Sequence, residues 1–356
     1  MATSHPDPKE TSSMTHRPSL SRTRKLLGAL ALGSLFFGGA ALAQTTVKYG
    51  VAAVSVSYAS TLIGVAAPEV FAKHGIKLEI TDFRGNSNNC VAAVLSGAVD
   101  VCQVGASTVS DAVAEGGDFK ILAVTTGPLS EFVMSSKAIA KMNGVTAASP
   151  VDDKLRAMKG LRIVTTGPGA PHYLALDASL RRVGMTIADL KFRTLTDTVA
   201  MIEGIRNDQI DGAMWTVGVL SPVIADKSGV RWINLAAGDI PEISPVPYVV
   251  TMGLNSWISK NGPTVTRLRA ALNEAVDLMN KEPAKYSALI KAKYFPQLDQ
   301  GAWDEGFRLT LPVFFKGSTI PKAGWDYLLK LQAATSNKDY SKASYEKILI
   351  PEAQVR

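Results

Sequence analysis

Hydrophobic and polar residues alternate along the chain in blocks of two kinds. Short apolar runs, such as those at 121–126 and 161–164, are typical of buried strands. Between them lie longer segments, such as 173–183, whose apolar residues recur every three or four positions, which predicts helices. Strands that alternate with helices predict an α/β protein with largely parallel sheets.

The pattern predicts strands at 47–52, 76–80, 100–105, 121–126, 131–134, 161–164, 190–195, 210–216, 231–235 and 248–254. The proline-rich segment 241–247 is not expected to form a central strand. One continuous helix is predicted over 59–73, and the last third of the chain is predicted to be helical at 265–281, 284–294, 303–311 and 321–335.

The segment 161–184 combines a strand, a glycine-proline turn and a helix that stops at Gly184. The turn contains Gly167, Pro168 and Gly169. Because a strand that runs through glycines into a helix leaves N–H groups unpaired at the positive end of the helix dipole, we expect a pocket for an anionic or strongly polar group here.

Two stretches, 47–105 and 161–216, share one order of predicted elements. In each, a strand and a helix that ends in glycine (Gly75 and Gly184) precede a second strand and helix, and an aspartate (Asp100 and Asp211) enters the third strand. This predicts a βαβαβ unit that occurs twice. Since ligands bind beyond the carboxyl ends of such strands, two facing units predict a cleft.

The N-terminal region has the features of a secretory signal. Basic residues at 22–25 precede an apolar run that ends in Ala41, Leu42 and Ala43. We predict a signal peptide over 1–43, cleaved between Ala43 and Gln44. A membrane anchor is the alternative, and the start of translation, Met1 or Met14, stays open.

Charge and composition exclude several classes of protein. Residues 44–356 contain 33 basic and 29 acidic residues, a net charge of +4, with no cluster of Lys and Arg typical of nucleic-acid binding. Their two histidines, His74 and His172, and their two cysteines do not have metal-ligand spacing, so no metal is expected. Cys90 and Cys102 can form a disulfide or be two small buried residues.

Four segments together carry a resemblance to a known family: FAKHGIKLEI, GNSNNCVAAVLSGAVDVCQVGAST, LRAMKGLRIVTTGPGAPHYLALDASLRRVG and MIEGIRNDQIDGAMWT. With the signal peptide and the start VKYGVAAVSVSYASTLIGVA, they resemble the periplasmic substrate-binding proteins of ABC importers for sulfonates, taurine, nitrate and thiamine-precursor pyrimidines. The resemblance implies a type II periplasmic-binding-protein fold, α/β, with two lobes, a ligand cleft between them and C-terminal helices. Lobe 1 would comprise 44–130 and 250–356, and lobe 2 would comprise 131–249.

The resemblance also implies a periplasmic location, a monomer, and a partner permease in the inner membrane. Carried over by position, the ligand contacts would be Ser55, Ser57, Tyr58, Asn86, Ser87, Asn88, Gly105, Ala106, Ser107, Thr126, Gly169, Ala170, His172, Thr196 and Trp215. Hydroxyl groups and backbone N–H groups can bind an oxyanion without a buried countercharge. No arginine that would hold a carboxylate with two hydrogen bonds is among them.

We therefore expect a small organic anion, a sulfonate or an aromatic carboxylate, to be bound and delivered to a permease. A neutral heterocycle such as a pyrimidine and a ligand-sensing role are the alternatives. Neither an enzyme nor a cofactor is expected. The turn reads G-x-G-x-x-H rather than a dinucleotide fingerprint, no G-x-S-x-G surrounds a candidate serine, and the cysteine-rich iron motif of the pyrimidine synthase branch is missing.

Overall fold

A computed structural model describes residues 44–355 of the chain. The predicted signal peptide, residues 1–43, lies outside the described residues. Across 44–355, no helix combines the length and the apolar character needed to cross a membrane.

Ten strands in the described part of the chain form two five-stranded sheets. The strands are β1 (Thr45–Val51), β2 (Ile76–Asp82), β3 (Val101–Gly105), β4 (Phe119–Thr126), β5 (Ser130–Ser135), β6 (Arg162–Thr165), β7 (Lys191–Thr194), β8 (Gly212–Thr216), β9 (Gly229–Asn234) and β10 (Val249–Leu254). The first sheet has the order β2-β1-β3-β10-β4 and the second the order β7-β6-β8-β5-β9.

The two sheets have the same topology, as the repeated pattern of the sequence predicts. In each sheet the first strand of the unit pairs in parallel with the second and third strands. One antiparallel strand, β10 in the first sheet and β5 in the second, lies between the third and fourth strands. The chain passes from the first sheet to the second after β4 and returns before β10.

The helices are α1 (Ala59–Ala66), α2 (Glu69–Ala72), α3 (Ser87–Leu95), α4 (Ala106–Ala114), α5 (Ser136–Ile139), α6 (Val151–Arg156), α7 (Pro171–Arg181), α8 (Thr198–Arg206), α9 (Ser221–Ala225), α10 (Asn255–Lys260), α11 (Gly262–Lys281), α12 (Pro283–Tyr294), α13 (Gln300–Thr310), α14 (Lys322–Ala333) and α15 (Tyr345–Ile348). They pack on both sheets over a large apolar core. A smaller apolar cluster joins β5, β6 and β8 to α8 and α9.

The single helix predicted over 59–73 is wrong in one respect: it is broken at Pro68. Ala67 leaves the helical region, with φ −142° and ψ 71°, and Pro68 becomes the N-cap of α2. A proline disfavours the α conformation at its preceding residue because its ring clashes with that residue's backbone. The apolar spacing continues across the break, which is why periodicity alone does not reveal it.

The aspartate that precedes the third strand makes the same contact in both units. Asp100 Oδ2 accepts a hydrogen bond from the backbone N–H of Lys48 at 2.8 Å. Asp211 Oδ2 accepts one from the backbone N–H of Arg162, also at 2.8 Å. Each carboxylate thereby fixes the entry of the third strand beside the first.

The question of the two cysteines, open from the sequence, is answered by the structure. Cys90 of α3 and Cys102 of β3 form a disulfide, with their Cα atoms 6.1 Å apart, and both residues are fully buried. The bond ties α3, whose first turn follows Asn86, to the strand that ends at Gly105.

Candidate functional site

His172, the second residue of α7, is the centre of a buried hydrogen-bonded cluster. Its Nδ1 lies 2.7 Å from the hydroxyl oxygen of Ser130 and 2.7 Å from the phenol oxygen of Tyr248. Its Nε2 lies 3.2 Å from Oγ1 of Thr216. Ser130 and Tyr248 also share a hydrogen bond with each other. Trp215 stacks on the imidazole, with ring centroids 4.9 Å apart and planes at 28°. These five residues are called the His172 cluster below.

The topology of the chain brings the cluster together. Ser130 opens β5, directly after the chain crosses to the second sheet, and Tyr248 precedes β10, where the chain returns. Thr216 ends β8. Proline at the first position of α7 starts that helix without the loss of a hydrogen bond. The connections from β4 to β5 and from β9 to β10, called the crossing segments below, therefore both meet the start of α7 at His172.

Burial makes the cluster electrically neutral. Desolvation lowers the pKa of His172 to about 3, so the imidazole carries no charge at neutral pH. Desolvation also raises the pKa of Tyr248, which keeps the phenol protonated. A neutral imidazole has one donor and one acceptor nitrogen, and three hydroxyl groups surround it, so the cluster can donate to or accept from a ligand but cannot offer a positive charge.

The end of β3 in the first sheet contacts the start of α7 next to this cluster. Gly105, at the end of β3, packs on the ring of Pro171, where an added Cβ would lie 2.9 Å from Cγ. The hydroxyl of Ser107 is buried and has no hydrogen-bond partner among residues 44–355. It borders a cavity of about 20 Å³, which Pro171, Tyr248 and apolar side chains of α7 and α14 also line. A buried hydroxyl without a partner is costly, so a ligand that bonded to it would relieve that cost.

The loop after β1 contributes further polar groups. Ser55 and Ser57 hydrogen-bond through their hydroxyl groups at 2.6 Å, and Tyr58 is buried. Burial raises the pKa of the Tyr58 phenol. The hydroxyl groups of Ser60 and Thr126 are buried and have no partner in the described part of the chain. Partnerless hydroxyls therefore occur after β1, after β3 and at the end of β4.

The turn before α7 offers fewer free N–H groups than the sequence predicts. Thr166 Oγ1 accepts the N–H of Tyr173 at 3.2 Å, and Pro171 has none to give. Gly169 has the left-handed conformation, φ 80°, and an added Cβ there would lie 3.6 Å from Oδ2 of Asp111 in α4. A carboxylate therefore lies near the turn where the sequence predicts an anionic ligand.

Four predicted residues, Asn86, Ser87, Asn88 and Thr196, do not belong to the His172 cluster. Asn86 Oδ1 caps α3 by accepting the N–H of Asn89 at 3.0 Å, so part of this side chain serves the helix. Asn88 and Thr196 are exposed. Among the hydrogen bonds of residues 44–355, none joins Asn86, Ser87, Asn88 or Thr196 to the His172 cluster.

Residues 40–292 match the NMT1-like family. The chain belongs to this family. The match spans both crossing segments and every residue of the His172 cluster. No similar sequence was found among curated proteins.

Solved structures share the fold of this NMT1-like protein. The periplasmic aliphatic sulphonate binding protein SsuA from Escherichia coli is 13% identical, with a TM-score of 0.66 over 85% of this chain and 94% of that chain. The alkanesulfonate-binding protein SsuA from Xanthomonas axonopodis pv. citri, bound to MOPS, is 17% identical, with a TM-score of 0.62 over 88% and 99%. The periplasmic nitrate-binding protein NrtA from Synechocystis PCC 6803 is 15% identical, with a TM-score of 0.54 over 75% and 69%. The prediction of a periplasmic-binding-protein fold is confirmed.

Sequence reasoning on this NMT1-like protein missed Ser130, Thr216 and Tyr248. Ser130 and Tyr248 fall at the two points where the chain crosses between sheets, and Thr216 follows the predicted contact Trp215 directly. Their position next to the ends of predicted strands was the available signal. Their approach to His172 depends on how the sheets are placed, which no sequence pattern encodes.

A larger open cavity, of about 420 Å³, lies beside Lys120 and Arg269. It adjoins the start of β4, whereas the His172 cluster lies towards the ends of β4 and β8. The guanidinium of Arg269 donates to the backbone carbonyls of Leu122, Gly317 and Glu352, which ties α11 to β4 and to the C-terminal segment. Residues 44–355 hold no group of three or more His, Cys, Asp or Glu side chains arranged for a metal ion.

Proposed function

We propose that this NMT1-like protein is an extracytoplasmic solute-binding protein of an ABC importer. It binds a small organic anion, a sulfonate or an aromatic carboxylate, and delivers it to a permease in the inner membrane. Residues 1–43 direct it to the periplasm, where it works as a monomer. The segments 44–130 and 250–356 form one lobe, 131–249 forms the other, and the ligand lies between them.

The observation that carries the proposal is the meeting of both crossing segments with the start of α7 at His172. A ligand held there touches the two connections about which the lobes would rotate, so that binding and lobe closure are linked. Ser107 of α4 and Thr126 of β4 have buried hydroxyls that lack a partner among residues 44–355 and can donate to an oxyanion.

Binding rather than catalysis fits the environment of the cluster. Ser130 is fully buried and shares its hydroxyl with His172 and Tyr248, so it is not presented to a substrate as a nucleophile. The named functions of the structural neighbours, sulfonate and nitrate binding, support the same class of ligand.

A neutral heterocycle is the second candidate. It is favoured by the neutral state of His172 and by the half-buried indole of Trp215, which can stack on a planar ring. A role in sensing rather than transport would use the same site.

A thermal-shift screen of the mature protein, residues 44–356, tests these proposals. The panel contains MOPS, methanesulfonate, nitrate, benzoate and a pyrimidine. A ligand at a hundred times its Kd adds about 2.7 kcal/mol to the free energy of unfolding, which is a clear shift. Trp215→Leu should abolish the shift, whereas Trp257→Leu, a change in a half-buried tryptophan of α10, should retain it.

The outcome of the screen separates the candidates. A shift with sulfonates or benzoate that Trp215→Leu removes supports the anion proposal. A shift only with the pyrimidine would contradict it and support the second candidate. A shift that both tryptophan variants retain would place the ligand elsewhere.

A further inference from the structure

Helix α13 contacts the loop that follows β8 without any side chain between the two backbones. Gly218 in this loop has φ 86°, and an added Cβ there would lie 2.4 Å from Cα of Gly306 in α13. Only glycine fits at position 218, both for its conformation and for this approach. The loop therefore packs on the helix backbone to backbone.

A chain of three charged side chains joins the same loop to the same helix. Glu131 Oε1 accepts the N–H of Gly218 at 2.8 Å, and its Oε2 accepts from Nε of Arg231 at 2.5 Å. Arg231 Nη2 in turn donates to Oε1 of Glu305 at 2.9 Å. Glu305 is the neighbour of Gly306. The ion pair with Arg231 and the backbone contact with Gly218 therefore lie at adjacent residues of α13.

The position of α13 makes this connection relevant to the ligand site. The helix also contacts the 3-10 helix Val56–Tyr58, which carries Ser57 and Tyr58, and α9 in the second unit. Trp215 and Thr216 of the His172 cluster lie two or three residues before Gly218. One helix thus contacts predicted ligand-binding loops of both units.

Stability alone is a weak explanation for the charge chain. Glu131 is completely buried, and burial raises the pKa of its carboxyl against the opposing effect of Arg231. An apolar group of the same volume often stabilises such a position as well as a buried ion pair does. Unlike an apolar group, these directional contacts hold Glu131 of β5, Arg231 of β9 and Glu305 of α13 in a defined arrangement.

We propose that Arg231 and Glu305 are positioning residues of the ligand site. They hold the loop after Trp215 and Thr216 on α13, and through α13 they set its distance from Ser57 and Tyr58. The proposal rests on the proposed function in so far as it places the ligand between these loops.

Amide hydrogen exchange of the mature protein, followed by mass spectrometry without any ligand, tests the connection. Glu305→Gln removes the charge at the α13 end and leaves the pair Glu131 and Arg231 intact. We expect about fivefold faster exchange in peptides that cover 215–220 and 56–60, in line with the loss of one partly exposed ion pair. Glu203→Gln, which removes an exposed ion pair with Arg206 on α8, is the matched control and should leave both peptides unchanged.

Arg231→Lys keeps the positive charge but loses the planar guanidinium, which donates to Glu131 and Glu305 through different nitrogens. This variant should accelerate exchange in the same peptides. Unchanged exchange at 215–220 in both Glu305→Gln and Arg231→Lys would overturn the proposal. So would a uniform acceleration over both sheets, which would indicate a general loss of stability. Local acceleration together with no binding of MOPS, methanesulfonate or benzoate would support the connection and count against the proposed ligand class.

Discussion

Gly105 packs directly on the ring of Pro171, and an added Cβ at residue 105 would lie 2.9 Å from Cγ of that proline. The contact joins the end of β3 in the first sheet to the start of α7 beside the second. Gly105 has φ −60° and ψ 136°, which any residue adopts. The glycine is therefore required by the approach of the two units and not by its own backbone.

The first prediction concerns a substitution at this contact. Gly105→Ala should disfavour the arrangement in which the units touch by about 1–3 kcal/mol, because the added methyl overpacks the contact. We expect a larger radius of gyration in small-angle X-ray scattering and about tenfold weaker binding of any ligand found in the screen.

Gly262→Ala is the control for Gly105→Ala, since an added Cβ at 262 meets no atom within 4 Å. Identical scattering and identical affinity for Gly105→Ala and the control would show that closure does not depend on this contact.

The second prediction concerns pH. His172 has a pKa of about 3 in the folded protein, well below its ordinary value of 6.5, because it is buried. The unfolded chain therefore binds a proton more readily, so the stability that this group contributes is complete above about pH 6.5 and is lost as pH falls towards 3. The loss amounts to about 1.4 kcal/mol per pH unit within that window.

Urea unfolding of the wild type and of His172→Gln at pH 7, 6 and 5 checks this. The difference between the two free energies of unfolding should shrink as pH falls, because the other titrating groups are common to both proteins. Parallel curves would contradict this and would mean that the pKa of His172 is not lowered in the folded protein.

The third prediction concerns the disulfide between Cys90 and Cys102, which are separated by 12 positions. Reduction should lower the free energy of unfolding by about 3 kcal/mol, the entropic value for a loop of this size. The double variant Cys90→Ala with Cys102→Ala should unfold at the same urea concentration with and without reductant. Detection of two free thiols in the denatured, unreduced protein would contradict the disulfide.

The fourth prediction follows from the matched aspartates. Asp100→Asn and Asp211→Asn should both destabilise the protein, because a neutral amide oxygen accepts the hydrogen bond from the strand N–H more weakly than the carboxylate does. Asp211→Asn should cost more, about 2 kcal/mol, since this carboxylate also pairs with the guanidinium of Arg162 at 2.7 Å. Equal effects in urea unfolding would show that the ion pair adds nothing measurable.

The sequence by itself determined the strands, the repeated unit and the fold class. Gly75 and Gly184 have φ of 67° and 75°, so the glycines matched in the sequence end equivalent helices. These features are local: apolar spacing, a helix stop and an aspartate before a strand depend on neighbouring residues, and the chain carries them wherever it folds. The helix break at Pro68 was also local, although periodicity concealed it.

The tertiary structure alone decided which side chains surround His172. Ser130 and Tyr248 are separated by 118 positions, and they meet only because β5 and β10 enter the two sheets between strands from other parts of the chain. The same holds for the neutral state of His172, which results from its burial. Burial and long-range contacts are properties of the packed chain, and no residue pattern along the sequence specifies them.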